Sequence, residues 1–266
     1  MVHNINRITF DTYRNLDMFN ELMKYKEEGK IKYLGFSFHG TPEMLKEVAP
    51  EHPWDFAQLQ INYFDWDIIN AKEQYDIVQK ENIPVIVMEP LRGGGLCQLS
   101  DKALSVINGM NPPQTPASLG LRWAASRNNV ITVLSGMSNL KQMKENIATF
   151  ENYSPVSEEE ELAAKEIVKI IQEQGEINCT ACKYCLEVCP KNINIPAAFS
   201  VYNNYKKNNE SSFFAMYYST IDENQRPDKC IKCNLCNTNC PQGLNIPKLL
   251  SKVDQTYKDI LSKKST

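Results

Sequence analysis

Apolar positions from about residue 10 to residue 150 follow helical and strand periods in turn. In segment 15–28 the apolar residues share one helical face and Gly29 is placed to end the helix; they are Leu16, Phe19, Leu22 and Met23. Short apolar strands are predicted at 32–37, 56–62, 83–88 and 130–134. Helices that alternate with buried strands predict consecutive βα units around a parallel sheet.

Sequence signals also mark helix starts. Thr41 and Thr115 each precede a proline and predict a capped first turn, and Ser138 opens a helix that reaches about Ala148. With a helix at 71–79, four strands and five helices are predicted. A complete eightfold barrel takes about 250 residues, so the pattern predicts either a smaller α/β sheet or a chain that begins partway through a barrel.

A longer helix is predicted to connect two domains. Ser157 precedes three glutamates, which favour the positive first turn of a helix that ends near Gly175. We therefore expect an α/β domain at 1–152, a helical linker at 153–176 and a cysteine-rich domain at 177–266.

Composition excludes several classes of protein. The chain has 266 residues, is 42% hydrophobic and has a net charge of -3, with no basic block that would predict a nucleic-acid partner. No apolar run has the length of a bilayer and no export signal opens the sequence, so we expect no membrane partner and a cytoplasmic location.

Eight of the nine cysteines form two motifs of identical spacing, CxxCxxCxxxCP. The first contains Cys179, Cys182, Cys185 and Cys189, and the second contains Cys230, Cys233, Cys236 and Cys240. The repeat continues beyond the cysteines, because Asn194, Ile195 and Pro196 match 245–247 at a constant offset. Cys97 stands alone, and we expect a buried or partly buried thiol there.

This spacing predicts two [4Fe-4S] clusters with crossed ligands. Three thiolates in two short turns can hold three corners of one cubane, while the fourth cysteine, followed by proline, points toward the other cluster. We therefore expect one cluster on Cys179, Cys182, Cys185 and Cys240, and the other on Cys230, Cys233, Cys236 and Cys189. The alternative is a pair of zinc sites, which would leave the third cysteine of each motif unexplained.

The segment between the motifs is rich in aromatic residues and is predicted to be helical. It resembles the α-helical type of two-cluster ferredoxin more than the compact type. Six aromatic residues are expected to pack around the clusters: Tyr202, Tyr205, Phe213, Phe214, Tyr217 and Tyr218.

Residues 1–150 resemble the second half of the aldo/keto reductase barrel. The segments that carry the likeness are GKIKYLGFSFHG, QLQINYFDWD, VMEPLRGGGL and LRWAASRNNVITVLSGMSNLKQMKENI. The family branch with a C-terminal iron–sulfur domain is similar over the whole chain. The resemblance implies a partial, second-half TIM-type (β/α) barrel followed by a small α-helical ferredoxin-like domain.

The family transfers hydride from NADPH to a carbonyl, using a tyrosine, a lysine, an aspartate and a histidine. His3 matches the substrate-orienting histidine, and the other three positions would precede Met1. Ser37 and Gln60 match residues that hold the nicotinamide amide, although Phe38 replaces the asparagine that follows the serine. The phosphate- and adenosine-binding positions match Leu91, Arg92, Gly93, Ser135, Gly136, Met137, Gln142, Glu145 and Asn146.

Together these features predict an iron–sulfur oxidoreductase that couples NAD(P)H-linked chemistry on a small carbonyl substrate to single-electron transfer. A redox partner, either a ferredoxin or a flavoprotein, is expected to exchange the electrons. The alternatives are an electron carrier without hydride chemistry and a structural role for the clusters.

Overall fold

The computed structural model describes residues 1–264 and contains a five-stranded parallel sheet in the order β1-β2-β3-β4-β5. The strands are β1 (Val2–Ile5), β2 (Gly35–Phe38), β3 (Phe56–Gln60), β4 (Val85–Met88) and β5 (Val130–Val133). Each strand pairs in parallel with its neighbour in sequence, which is the topology of consecutive βα units.

Helices connect and follow the strands. They are α1 (Phe10–Asn15), α2 (Met18–Glu27), α3 (Pro42–Glu51), α4 (Asp65–Ile68), α5 (Ala71–Lys80), α6 (Asp101–Asn108), α7 (Pro116–Ala125), α8 (Leu140–Glu151), α9 (Glu158–Gln174), α10 (Ile195–Asn208), α11 (Ser211–Thr220), α12 (Leu235–Thr238) and α13 (Ile246–Lys264). No helix among the described residues combines the length and the apolar character that crossing a membrane requires.

The four strands predicted from apolar runs are present, each shorter than predicted. The predicted helix at 15–28 is wrong in its bounds, because Asp17 adopts a left-handed φ of 49° that separates α1 from α2. The pattern also missed α4, α6 and β1; β1 lies where the family resemblance, rather than periodicity, implied a strand.

Side-chain caps account for most helix starts. Thr41 and Thr115 accept hydrogen bonds from backbone N–H groups of the first turn, at 3.4 Å and 3.0 Å. Ser157 and Glu160 form a capping box, in which each side chain accepts from the other residue's N–H. The predicted start at Ser138 is one residue early, because Asn139 is the cap and accepts from Gln142 N at 3.0 Å.

The core of the α/β part lies between the sheet and its covering helices. Phe36, Leu59 and Val87 from the strands are fully buried, as are Leu45 of α3 and Leu119 of α7. The last βα unit is more open: β5 exposes 61% of Ile131, and α8 has no buried residue.

The chain divides into two compact units. The first contains Met1–Gln98 and Ser105–Val168, and the second contains Leu99–Leu104 and the chain from Lys169 onward. The helix predicted as a linker, α9, is divided between the two units. Its first turn is held in the first unit by Arg122, whose Nη1 donates to Glu160 Oε1 at 2.6 Å.

The second unit has its own core of apolar side chains from α10, α11 and α13. Tyr202, Phe214 and Tyr218 are buried there, whereas Phe213 is 45% exposed. Tyr218 Oη donates to Asp254 Oδ1 at 2.6 Å. Three of the six aromatic residues predicted to pack around the clusters are therefore buried in this core.

Candidate functional site

The first cysteine cavity takes three thiols from the first motif and one from the second. It is lined by Cys179, Cys182, Cys185 and Cys240 and has a volume of about 320 Å³, including the part open to solvent. Apolar side chains complete its wall: Ile195, Pro196, Phe199, Leu244 and Ile246. The structure thus places the last cysteine of the second motif with the first three of the other.

The second cysteine cavity shows the reciprocal arrangement. It is lined by Cys189, Cys230, Cys233 and Cys236 and also has a volume of about 320 Å³. Ile195 lines both cavities, so one apolar side chain is common to their walls. The two quartets have the same membership as the crossed ligand sets predicted from the spacing.

The backbone repeats the duplication seen in the cysteine spacing. Ala181 and Lys183 have left-handed φ angles of 55° and 72°, and Lys232 and Asn234, at the same two places in the second motif, have 57° and 64°. Left-handed residues turn successive N–H groups toward one side of a loop, which creates a concave site for anions. In the first motif, Ala181 N donates to Cys179 Sγ at 3.4 Å.

Burial and the charges of neighbouring cysteines raise the pKa of one buried cysteine in each quartet, which disfavours the thiolate form. The pKa of Cys185 is raised to about 12, first by burial and then by the charges of Cys179 and Cys182. The pKa of Cys236 is raised to about 11, first by burial and then by Cys230. Cys185 and Cys236 therefore favour the neutral thiol, and bound iron would stabilise their thiolates.

The donor sets fit iron–sulfur clusters. All eight sulfurs belong to free cysteines. Within the described residues, no three histidine, cysteine, aspartate or glutamate side chains converge tightly enough to hold a single metal ion. Thiolates on one zinc ion would lie about 3.8 Å apart, given Zn–S bonds of about 2.3 Å, whereas a cluster takes one thiolate on each iron. Two clusters would use all eight cysteines of the two quartets, with one thiolate on each iron.

A separate cavity lies in the first unit at the carboxyl ends of β4 and β5. This cavity, the barrel-edge pocket, has a volume of about 1170 Å³ including space open to solvent. Eight of the predicted nucleotide-binding residues line it: Leu91, Gly93, Ser135, Gly136, Met137, Gln142, Glu145 and Asn146. Other lining residues include Glu89, Cys97 and Gln98.

Two backbone donors are available at the β5 side of the barrel-edge pocket. The N–H groups of Gly136 and Met137 have no acceptor within the described residues, and they precede α8. Unpaired amides before a helix N-terminus form a site for phosphate. The loop after β4 has fewer amides available to a phosphate, because Arg92 N donates to Glu89 O at 3.0 Å and Gly93 N donates to the Glu89 carboxylate.

The remaining predicted residues do not line the barrel-edge pocket. Ser37 is fully buried, accepts from Asn4 N at 2.6 Å and hydrogen-bonds His3 Nδ1 at 3.1 Å. Gln60 is 8% exposed, and its Nε2 donates to Asp65 Oδ2 at 2.7 Å. The side chains of His3 and Ser37 are therefore hydrogen-bonded to each other. Neither they nor Gln60 line the barrel-edge pocket.

The fold and the two cysteine motifs agree with comparisons to known proteins. The description "Aldo/keto reductase family" matches residues 2–169, more than half of the chain. The chain belongs to the aldo/keto reductase family. A second description, "4Fe-4S dicluster domain", matches residues 178–246 and covers all eight motif cysteines.

Solved structures show the same barrel fold. The chain is similar to the aldo-keto reductase AKR11C1 from Bacillus halodurans in its holo form, with 21% identity and a TM-score of 0.50 over 62% of this chain and 56% of that one. For the apo form the identity is 19% and the TM-score 0.51, over 63% and 62% of the two chains. The chain thus spans less than two thirds of the length of these reductases.

Sequence reasoning missed a buried polar network in this family member. Asp65, at the start of α4, is fully buried and accepts from Arg92 Nε at 2.7 Å, Gln60 Nε2 at 2.7 Å and Asn62 Nδ2 at 2.7 Å. The Arg92 guanidinium also lies 4.6 Å from the centroid of the Phe64 ring. The side chain of Arg92 is thereby directed into the protein, whereas the prediction for Arg92 concerned its backbone amide, which donates to Glu89 O.

Glu89 is the other polar residue that sequence reasoning missed. It follows β4 with a left-handed φ of 54°, an uncommon conformation for a residue with a side chain. Its Oε2 atom is buried and has no hydrogen-bond partner within the described residues. Burial raises the pKa of Glu89, and the charge of Asp65 adds to the effect. Cys97, expected to be buried or partly buried, is exposed instead.

Proposed function

We propose that this chain is an iron–sulfur oxidoreductase of the aldo/keto reductase type. In this proposal, NAD(P)H-linked chemistry in the half barrel is coupled to electron transfer through two [4Fe-4S] clusters. The observation that carries the proposal is the crossed membership of the two cysteine quartets, each of which lines its own cavity. Crossed ligation of this kind is a property of two-cluster ferredoxin-type domains.

The cysteine cavities suit electron transfer more than catalysis at the clusters. Cys185 and Cys236 are each 7% exposed, whereas Cys182 and Cys233 are exposed. Each cluster, when bound, supplies a one-electron redox site. The exposed thiols give each site a short path to the surface, and the shared Ile195 wall gives a short path between the two sites.

The half barrel supplies the groups that would bind a nucleotide and a carbonyl substrate. The unpaired amides of Gly136 and Met137 would donate to the phosphates. The hydrogen bond to Ser37 Oγ would orient the imidazole of His3, so that Nε2 can face a carbonyl oxygen. In this proposal the chain supplies backbone donors for the nucleotide and, in His3, one orienting group for the substrate.

Electron counting requires a further partner. Oxidation of NAD(P)H to NAD(P)⁺ releases two electrons and one proton as a hydride, whereas each cluster accepts one electron. A flavoprotein can accept the hydride as a pair and pass the electrons singly to the two clusters. We therefore propose a flavoprotein as the partner that splits the electron pair; a ferredoxin, as a one-electron carrier, would exchange electrons only with the clusters.

The experiment is anaerobic mixing of the cluster-loaded chain with NAD(P)H and a catalytic amount of a diaphorase-type flavoprotein. We expect bleaching of the cluster absorbance and a reduced-cluster electron paramagnetic resonance signal that depends on the flavoprotein. Clusters that stay oxidised even with dithionite would contradict electron transfer and favour a structural role.

A second candidate function is an electron carrier without hydride chemistry. The observation that favours it is the position of Ser37 and Gln60, whose side chains bond to neighbouring residues rather than line the barrel-edge pocket. Equilibrium binding separates the two candidates. Binding of NADH or NADPH by the cluster-loaded chain supports the oxidoreductase, whereas cluster reduction without nucleotide binding supports the carrier.

A further inference from the structure

Charge is unevenly distributed around the barrel-edge pocket. Among the described residues, two glutamates line the pocket, Glu89 and Glu145, while no lysine or arginine side chain does. The pocket therefore presents backbone amide donors at Gly136 and Met137 on the β5 side and carboxylate acceptors elsewhere. This combination suits a ligand that has both phosphate oxygens and hydroxyl groups.

The basic side chains nearest to the pocket along the chain, those of Arg92, Lys141 and Lys144, do not line it. Arg92 is 9% exposed and forms an ion pair with Asp65, with the Phe64 ring beside its guanidinium. Lys141 of α8 is 85% exposed, and its Nζ lies 3.8 Å from Glu145 Oε1. An ion pair this exposed is weak, so Glu145 keeps its repulsion toward a nearby phosphate.

Glu89 offers the pocket an acceptor without a protein donor. One side of its carboxylate accepts from Gly93 N, while Oε2 is buried and unpaired within the described residues. A buried polar atom without a partner is destabilising, and a ligand hydroxyl that donates to it removes the cost. A phosphate is a poor substitute, because it is an acceptor with a negative charge.

These observations discriminate between the two nicotinamide dinucleotides. We propose that the barrel-edge pocket binds NAD(H) in preference to NADP(H), with Glu145 and Glu89 accepting hydrogen bonds from ribose hydroxyls. This inference rests on the proposed function and names the nucleotide. A carboxylate that accepts from a ribose hydroxyl selects NAD, whereas an arginine nearby accommodates the 2′-phosphate of NADP.

The ratio of the affinities for NADH and NADPH can be estimated from the charges of the 2′-phosphate and of Glu145. A 2′-phosphate carries about two negative charges, and one like-charge contact at about 4 Å in a water-like medium costs about fivefold in affinity. Two such charges beside Glu145 lead us to expect that NADPH binds at least about tenfold more weakly than NADH.

The test is equilibrium titration of the anaerobic, cluster-loaded chain with NADH and with NADPH, at low and high salt. We expect tighter binding of NADH, and a preference that narrows as salt screens the repulsion. The rate of alkylation of the exposed Cys97, which also lines the pocket, shows whether the nucleotide binds there. NADH should slow the reaction of Cys97 with a maleimide.

Gly136 allows a matched pair of variants. A side chain there would meet open space, since no atom lies within 4 Å of an added Cβ. Gly136→Arg should raise the affinity for NADPH relative to NADH by about tenfold or more, because the guanidinium would compensate the negative charge of the 2′-phosphate. Gly136→Gln, which adds a neutral side chain, should leave the ratio of the two affinities within about twofold.

The outcomes separate the inference from the proposed function. Equal or tighter binding of NADPH, with Cys97 protected, would overturn the inference and leave the oxidoreductase proposal standing. Binding of neither nucleotide would overturn both the inference and the nucleotide part of the proposal, while cluster reduction by a protein donor would still support the carrier. A preference for NADH that is insensitive to salt would refute the charge mechanism.

Discussion

The buried pair of Asp65 and Arg92 is expected to stabilise the first unit strongly. Asp65 is fully buried and Arg92 is 9% exposed, and the Oδ1–Nε distance is 2.7 Å. Asp65→Asn retains the shape of the side chain but leaves the guanidinium without its counter-charge. Loss of one partner of a buried pair costs about 3–5 kcal/mol, because the other charge remains desolvated.

A surface pair provides the matched control. Lys72 Nζ and Asp76 Oδ2 are 2.6 Å apart, but their side chains are 55% and 50% exposed. Asp76→Asn should therefore cost only about 0.3–0.5 kcal/mol, the usual value for an exposed pair one helical turn apart. The two variants remove the same charge at nearly the same distance, so that their difference isolates burial.

Urea unfolding monitored by tryptophan fluorescence measures both variants. All three tryptophans, Trp54, Trp66 and Trp123, lie in the first unit and report on it alone. A loss of about 3 kcal/mol corresponds to a change of more than a hundredfold in the unfolding equilibrium. A loss of less than about 1 kcal/mol for Asp65→Asn would refute the reasoning, as would equal losses for the two variants.

Three further predictions concern helix capping and pH. Ser157→Ala should cost about 1 kcal/mol in urea unfolding, because it removes the capping box of α9; Ser138→Ala, which truncates an exposed side chain, serves as the control. The pKa of His39 is lowered to about 4, mainly by burial, so its contribution to stability is present above about pH 6.5 and is lost as the pH falls toward 4. Between pH 7 and pH 5 the free energy of unfolding of His39→Gln, measured by thermal denaturation, should therefore fall less than that of the parent chain, by about 2 kcal/mol. Parallel pH profiles would contradict the assignment. Because the pKa of Glu89 is raised, its contribution to the stability of the fold is lost as the pH rises through that pKa. The free energy of unfolding of Glu89→Gln should therefore exceed that of the parent chain at about pH 8, and the difference should shrink on acidification.

Local patterns in the sequence were sufficient to predict the sheet and the cysteine quartets. Apolar runs predicted β2 to β5. For β2 the reason is burial on both faces, whereas β5 is apolar in sequence although it is partly exposed. The quartets could be predicted because the fourth cysteine of each motif follows a fixed spacing and is followed by proline. The repeated left-handed positions show that the duplication extends to the backbone.

Long-range contacts were not predictable in the same way. Nothing near Asp65 in sequence indicates that Arg92, 27 residues later, turns inward to meet it. The LRGGG segment was predicted to offer its backbone amides to phosphate, and no sequence signal indicated that the Arg92 side chain pairs with Asp65. Likewise, the sequence predicted that the amide of Gly93 would bind phosphate, and only the structure shows that this amide donates to the carboxylate of Glu89. Such assignments depend on which donors remain unpaired after folding.

The most direct test of the central claim is iron and acid-labile sulfide analysis of the anaerobically purified chain, with electron paramagnetic resonance after dithionite reduction. The account predicts about eight irons and eight sulfides per chain and a spin-coupled signal from two reduced clusters, since each quartet should hold one cubane. Bound zinc without a paramagnetic signal, or about four irons with an uncoupled signal, would contradict it.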